Sequence, residues 1–452
     1  MSYQPEVEGA APAVPAAAAQ PPARVGPIWR GLGGLLRQPL FANAGYLWGV
    51  TLVGASTGFV FWGLAARLYP PDDVGIASAV ISVVTLLASI AGLGVGFGLV
   101  RFLPGAQQPR RLLNTAFTFN ILTALLVAGV YLAGIEIWSP SLAGLRGSFL
   151  CVAGFLAFTT AATLGGVVQL TFVARRQAGY ALAQTSVVNG GRLLLVAALA
   201  GMGVAGLVGS VALGLGVAVL LSLAVFLPRV ETGYRPRPDL LWRDLATILP
   251  YSAGNYLAGL LAQTSQLLLP LLILELLGAP SSGYAYIAWM VGSVLASPGM
   301  ALAGSAFAEG SHAPGSLRAI LSRSAVAGLA LTTAGAGAVI LIAPWLLQLF
   351  GPSYSRQATA LLRWLSAAAP LVVVAQLYFT ALRVQKRVGR LIGLSGLIAA
   401  VTLGLAAALM PHYGISASGV GWLLGNGLVA GLGVGRHYSE FGKERVGSAT
   451  AD

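Results

Sequence analysis

Between Leu193 and Pro228 the chain runs through 36 residues without one charged side chain. About 20 mostly apolar residues are enough to cross a bilayer as a helix. Further uncharged runs cover 74–100, 112–135 and 147–174. Only 9% of the 452 residues are charged and 57% are apolar, whereas a soluble domain carries about a quarter charged residues. That charge cannot cover a water-facing surface, and the chain is too apolar to stay disordered. Its apolar runs do not alternate, as the roughly ten-residue strands of a membrane β-barrel do. What remains is an all-α membrane protein that satisfies its backbone polar groups within spanning helices.

Twelve spans are expected: 41–66, 74–100, 112–135, 147–174, 178–200, 203–227, 246–274, 282–308, 324–349, 358–382, 391–411 and 415–435. The fifth and sixth are separated at Gly201-Met202-Gly203, and the last two at Pro411-His412-Tyr413-Gly414. With the N-terminus inside, the inner segments hold 21 of the Lys and Arg residues and the outer segments hold four, Arg67, Arg146, Arg356 and Arg363. Such a bias fixes orientation. The expected location is the cytoplasmic membrane, multi-pass, with both termini cytoplasmic. The net charge of +13 therefore needs no nucleic-acid partner. The expected organisation is a disordered cytoplasmic tail over 1–38, an N-lobe over 39–227, a polar linker over 228–245, a C-lobe over 246–436 and a cytoplasmic tail over 437–452. Glu6, Glu8, Pro12 and Pro15 argue against a cleaved signal.

A gapless shift of 208 residues lays Arg110 on Arg318, Arg175 on Arg383, Gln177 on Gln385, Gly75 on Gly283, Gly129 on Gly337, Gly206 on Gly414 and Ser210 on Ser418. Each half holds six spans, so both share one orientation. Parallel repeats about an axis along the membrane normal are a transporter architecture, with the substrate site between the halves.

Arg192 stands about four turns into the fifth span, close to Asn189. A buried Arg costs at least about 2.5–3.5 kcal/mol on insertion scales, so it contacts an anionic substrate in a wet cavity or snorkels. In the seventh span Ser252, Asn255, Gly259, Gln263 and Gln266 form one polar helical face. Lipid does not tolerate such a face: it lines a cavity or ties helices together. Arg67 and Arg363 ring an outer mouth or snorkel. Asn43 is the first-span candidate, while Asn114, Asn120, Gln169, Gln184, Gln376 and Asn426 read as ties between helices. No Asp or Glu lies mid-span, so the cavity is expected to be neutral to positive. The lone Cys151 allows no intrachain disulfide. His312, His412 and His437 are scattered, and neither a metal nor a cofactor is expected. Gly92–Gly98 is no phosphate loop, since no strand precedes it; it reads as a kink or a close helix contact. Asp72 reads as a helix N-cap.

Four segments carry a resemblance: Ala66-Arg67-Leu68-Tyr69-Pro70-Pro71-Asp72-Asp73-Val74-Gly75, Gly94–Pro104, Leu349-Phe350-Gly351-Pro352-Ser353-Tyr354 and the basic turn Arg383–Arg390. In this order, with a six-plus-six repeat, the chain resembles the polysaccharide-type flippases of the multidrug/oligosaccharidyl-lipid/polysaccharide (MOP) exporter superfamily over about 40–436. The resemblance implies a V-shaped, MATE-like bundle with a central cavity and rocker-switch alternation. It implies lipid-linked (polyprenyl-pyrophosphate) oligosaccharide or a related glycan precursor as substrate. The expected partners are that lipid-linked glycan, membrane lipids, a glycan polymerase and glycosyltransferases. Two alternatives stand beside it: a drug or metabolite antiporter of the same fold, and a polytopic glycosyltransferase or ligase. The enzyme reading is opposed by the short outer loops.

Overall fold

The computed structural model describes residues 39–312 and 316–449. The expected tail over 1–38 lies outside them. The described residues form helices joined by short turns: α1 (Pro39–Leu68), α2 (Pro71–Gly92), a short α3 (Val95–Phe102), α4 (Pro109–Ala133), α5 (Phe149–Ala174), α6 (Ala178–Ala198), α7 (Gly203–Leu221), α8 (Trp242–Leu277), α9 (Ala279–His312), α10 (Leu317–Gln348), α11 (Pro352–Val384), α12 (Val388–Tyr413) and α13 (Ser416–Ala449). Eleven spans among them are long and apolar enough to cross a membrane. The exception among the twelve expected is α6, which Gln184, Asn189 and Arg192 make too polar. It nevertheless packs in the bundle between α1 and α7. α13 continues from the last span through the expected C-terminal tail as far as Ala449.

Local chemistry explains the helix limits. Pro71 starts α2 at its first position, where the missing N–H is no loss. Asp72 is thus not the N-cap; Asp72 and Asp73 stand in the first turn, favourable for carboxylates at the positive helix end. The expected second span is broken in two. Leu93 and Gly94 adopt left-handed conformations at φ 44° and 73° and separate α2 from α3. A Cβ on Gly94 would lie 2.8 Å from the Ser252 Cβ, and one on Gly98 2.3 Å from the Ile248 Cγ2, so this glycine run packs closely against α8.

The two halves repeat, but not at one register. Gly75 and Gly283, 208 residues apart, face each other where α2 crosses α9. A Cβ on Gly75 would fall 1.8 Å from the Ala279 carbonyl oxygen, and one on Gly283 2.5 Å from that of Pro71. Each glycine thus meets the residue four positions before its counterpart, which places the pseudo-two-fold axis between them. At the basic turns the offset becomes 210. Arg176 and Lys386 share a left-handed conformation, φ 56° and 57°. Gln177 N–H donates to Phe172 O, as Arg387 N–H does to Leu382 O, both at 2.8 Å. At the last turn of each half the offset is 211: Gly203 (φ 57°, ψ −139°) and Gly414 (φ 55°, ψ −146°) match in a region that only glycine enters freely. The gapless alignment of Gly206 with Gly414 and of Arg175 with Arg383 is therefore corrected by two to three residues. Small length changes in surface turns accumulate along the repeat.

Hairpin alternation brings the Arg-rich turns to one end of the bundle, called here the basic end; the other is the far end. The linker after α7 is docked on the first half. Asn114 of α4 donates to Arg235 O at 3.2 Å and accepts from Arg237 N–H at 3.3 Å. Thr118 accepts from Asp239 N–H at 3.2 Å, and Arg175 pairs with Glu231 at 2.5 Å. Tyr234 is buried edge-on to Phe117, and burial pushes its hydroxyl far above the usual phenol range.

Alanine at Gly75 has backbone rather than a flexible side chain in its path, so the helices must separate. Gly75→Ala is expected to cost about 1–3 kcal/mol by overpacking and to lower the melting temperature of the purified protein. Gly129→Ala, whose Cβ meets nothing within 4 Å, is expected to be neutral or mildly stabilising.

Candidate functional site: the chamber between the lobes

The lobes meet along α2, α8 and α9, and two cavities open at that junction. The first, about 330 Å³, lies directly below the Gly75–Gly283 crossing. It is lined by Ser82 and Thr85 of α2, Gln266 of α8, and Tyr286, Trp289 and Ser293 of α9. The second, about 310 Å³, lies nearer the basic end between α2, α3, α5 and α8; Ser89, Thr163, Tyr256 and Gln263 contribute to it. Thr85 lines both. Both reach the lower size range of small-molecule sites. Neither lining contains a charged side chain.

The seventh-span stripe is divided by this geometry. Gly259 and Gln263 face the lower cavity and Gln266 the upper one. Ser252 faces neither: it is fully buried, bonds back to Ile248 O at 3.1 Å and packs against Gly94. Beside it the Tyr256 hydroxyl donates to Ile90 O at 3.0 Å, sealing α8 to the end of α2. The side chains of Asn255 and Asn43 lie outside the described residues.

Arg192 points from α6 across α1. Its guanidinium carbon lies 5.1 Å from the centre of the Phe61 ring, a cation–π distance, and passes through the space left by Gly58. Phe61 packs edge-on to Trp62 at 5.2 Å, and Trp62 lies 4.4 Å from Tyr286, which lines the upper cavity. The Nε of Arg192 is buried without a hydrogen-bond partner. No carboxylate pairs with the side chain among the described residues. Arg192 lines neither cavity. Asn189 is buried and bonds within its own helix, to Thr185 O at 2.7 Å.

The two outer arginines are engaged elsewhere. Arg67 donates from Nε to Leu349 O at 2.8 Å, joining α1 to the turn after α10. Arg363 donates to Ile340 O at 3.1 Å, a bond between α10 and α11 inside the second half. Neither lines a cavity. The chamber residues the sequence reading missed lie on α2 and α9. Ser78, Ser82, Thr85 and Ser89 recur at spacings of four, three and four, and Tyr286, Trp289 and Ser293 at three and four. Both are helical stripes of the kind already visible in α8, and were legible by the same criterion.

The same fold is found in solved transporters of the MOP superfamily. The lipid II flippase MurJ in an inward closed conformation superposes with a TM-score of 0.68 at 11% identity, covering 85% of each chain. An inward-facing multidrug resistance MATE family transporter gives 0.66 at 15% identity, covering 87% of this chain and 95% of that one. An outward-facing one gives 0.60 at 18%, covering 92% and 97%. The polysaccharide biosynthesis protein family matches residues 64–324, more than half of the sequence, and the chain belongs to that family. No curated protein matches it.

An unpaired, largely desolvated Arg is a burden on folding. Arg192→Leu is expected to stabilise the purified protein by about 1–3 kcal/mol on those grounds, read as a raised melting temperature. A drop instead would mean that the Phe61 contact outweighs desolvation.

Proposed function

We propose that the chain is a flippase that carries a polyprenyl-pyrophosphate-linked oligosaccharide, or a related glycan precursor, across the cytoplasmic membrane by alternating access. The basic end and both termini face the cytoplasm, as the positive-inside bias requires. The observation that carries the reading is an uncharged cavity between the lobes lined by hydroxyls, an amide and aromatic rings, with the open Nε of Arg192 set behind it beyond the Phe61–Trp62–Tyr286 rings. Sugar hydroxyls suit Ser82, Thr85, Gln266 and Ser293. Sugar faces suit Trp289 and Tyr286, whose rings present apolar bodies with a polar handle. A pyrophosphate suits the Arg192 fork. The family's description as polysaccharide biosynthesis proteins and the likeness to a lipid II flippase support the same class.

In this cycle the head group enters from the basic end and the prenyl tail stays in the bilayer beside the lobes. The lobes then rock open at the far end. No proton site is needed for direction. Moving one charge through 100 mV is worth about 2.3 kcal/mol, so a head group near −2 gains roughly 4–5 kcal/mol on leaving a negative interior. Among the described residues no carboxylate lines either cavity, which disfavours a cation antiporter and leaves no acid–base pair for glycosyl transfer. A glycan polymerase and glycosyltransferases would supply and consume such a cargo.

Proteoliposomes loaded with a fluorescent polyprenyl-pyrophosphate disaccharide test the reading. Protein-dependent flipping is expected, slowed about ten- to a hundredfold by Arg192→Ala, the range set by losing a charged hydrogen bond. Unchanged flipping in the variant removes Arg192 from the mechanism. No flipping, with export of small cations that collapses with the proton gradient, supports the antiporter instead.

A further inference from the structure

Two contacts bridge the lobes at the far end, on either side of the Gly75–Gly283 crossing. In one, Arg67 at the end of α1 donates to the Leu349 carbonyl at 2.8 Å. In the other, Glu275 in the last turn of α8 accepts from the Ser141 N–H at 3.1 Å and from its hydroxyl at 2.9 Å. Glu275 follows Arg67 by 208 residues, and Leu349 follows Ser141 by 208. That is the offset relating Gly75 to Gly283, so the two are one contact repeated by the pseudo-two-fold axis, with its polarity reversed.

The reversal has a local cause. Leu349 caps the C-terminal end of α10, where carbonyls lack intrahelical partners, and an orphan carbonyl takes a donor. Ser141 stands in the first turn of the 3₁₀ segment Pro140–Arg146, where N–H groups lack partners, and an orphan N–H takes an acceptor. Equivalent side chains therefore meet opposite backbone ends, and the repeat keeps the contact while exchanging Arg for Glu.

We infer that these two contacts are paired latches that hold the far-end mouth shut, and that both break when the lobes rock apart there. A single tether would let the lobes pivot about it. Two tethers related by the axis oppose tilting toward either side of the glycine crossing. All four residues lie at the rim and three are exposed, so water replaces each bond on opening and the latches stay weak enough to cycle. Arg67 is on this reading a gating residue rather than a cargo contact, and the inference holds whatever the cargo is.

The test measures the mouth directly. In the full-length protein with Cys151→Ser, spin labels at Gly144→Cys and Gln357→Cys report the distance between lobes at the far end in lipid nanodiscs. Arg67→Ala and Glu275→Ala are each expected to raise the ratio of long to short distances about three- to tenfold, the range for one exposed charged hydrogen bond. The two effects should be similar in size, and the double variant should approach their product. Arg67→Gln and Glu275→Gln, which keep a neutral hydrogen-bonding group, should fall between. Arg363→Ala removes the same kind of bond within one lobe and should leave the distances unchanged. The inference is overturned if the double variant keeps the parent distribution, or if Arg363→Ala widens the mouth as much as the latch variants do. Melting temperatures of all variants identify any that simply fail to fold.

Discussion

The structure depends on the absence of two side chains. Where α2 crosses α9, Gly75 and Gly283 bring backbone against backbone, as membrane helices do when small residues permit it. This contact joins the lobes at one end and leaves a cavity immediately beneath it. Ser82 and Tyr286 lie about one to two turns below the crossing and line that cavity. The Ser282 hydroxyl at this junction is within donating distance of Gly75 O across the crossing, at 3.4 Å, and of Pro270 O within the second half, at 2.9 Å. Close packing at the axis and open space below it are two parts of one arrangement. A larger residue at either glycine would wedge the crossing and open the roof of the chamber.

The scaffold is symmetric and the chamber is not. Positions 208 to 211 beyond Arg192 are Ala400, Val401, Thr402 and Leu403, so the cation belongs to one lobe alone. The aromatic pair is also one-sided: Tyr286 and Trp289 correspond at an offset of 208 to Ser78 and Ile81. One wall thus offers hydroxyls and the opposite wall rings, with the guanidinium set behind α1. Two-fold packing gives the lobes equal pivots. Departures from it make the two walls of the chamber chemically different.

Much of this was legible in the sequence, for physical reasons that also mark its limits. The charge-free runs could only be spanning helices, and the Gly201–Gly203 break falls where α7 begins. The glycine run after α2 proved to be a close helix contact because Ser252 and Tyr256 occupy the space a side chain would need. The seventh-span stripe shows that a face is wider than a site: Ser252 went to a packed seam and the two glutamines to different cavities. Arg67 and Arg363 were expected to ring an outer mouth or to snorkel; Arg67 reaches the helix-end carbonyl of Leu349 at the far-end rim, and Arg363 the Ile340 carbonyl, which Pro344 leaves without its helical donor. The second-span hydroxyl stripe was overlooked because hydroxyls bond to their own helix, as Thr85 does to Ile81 O, and so look inert one at a time. The gapless repeat misplaced the basic turns because periodicity registers spans, whereas turns absorb insertions.

A transporter must hold two arrangements of nearly equal free energy, since a state too well closed would not cycle. The contacts at the far end suit this demand. They are a glycine crossing, where close-packed surfaces gain dispersion, and exposed hydrogen bonds that water can replace. The linker is held differently, by the Arg175–Glu231 pair and by both ends of the Asn114 amide, so it stays with the first half.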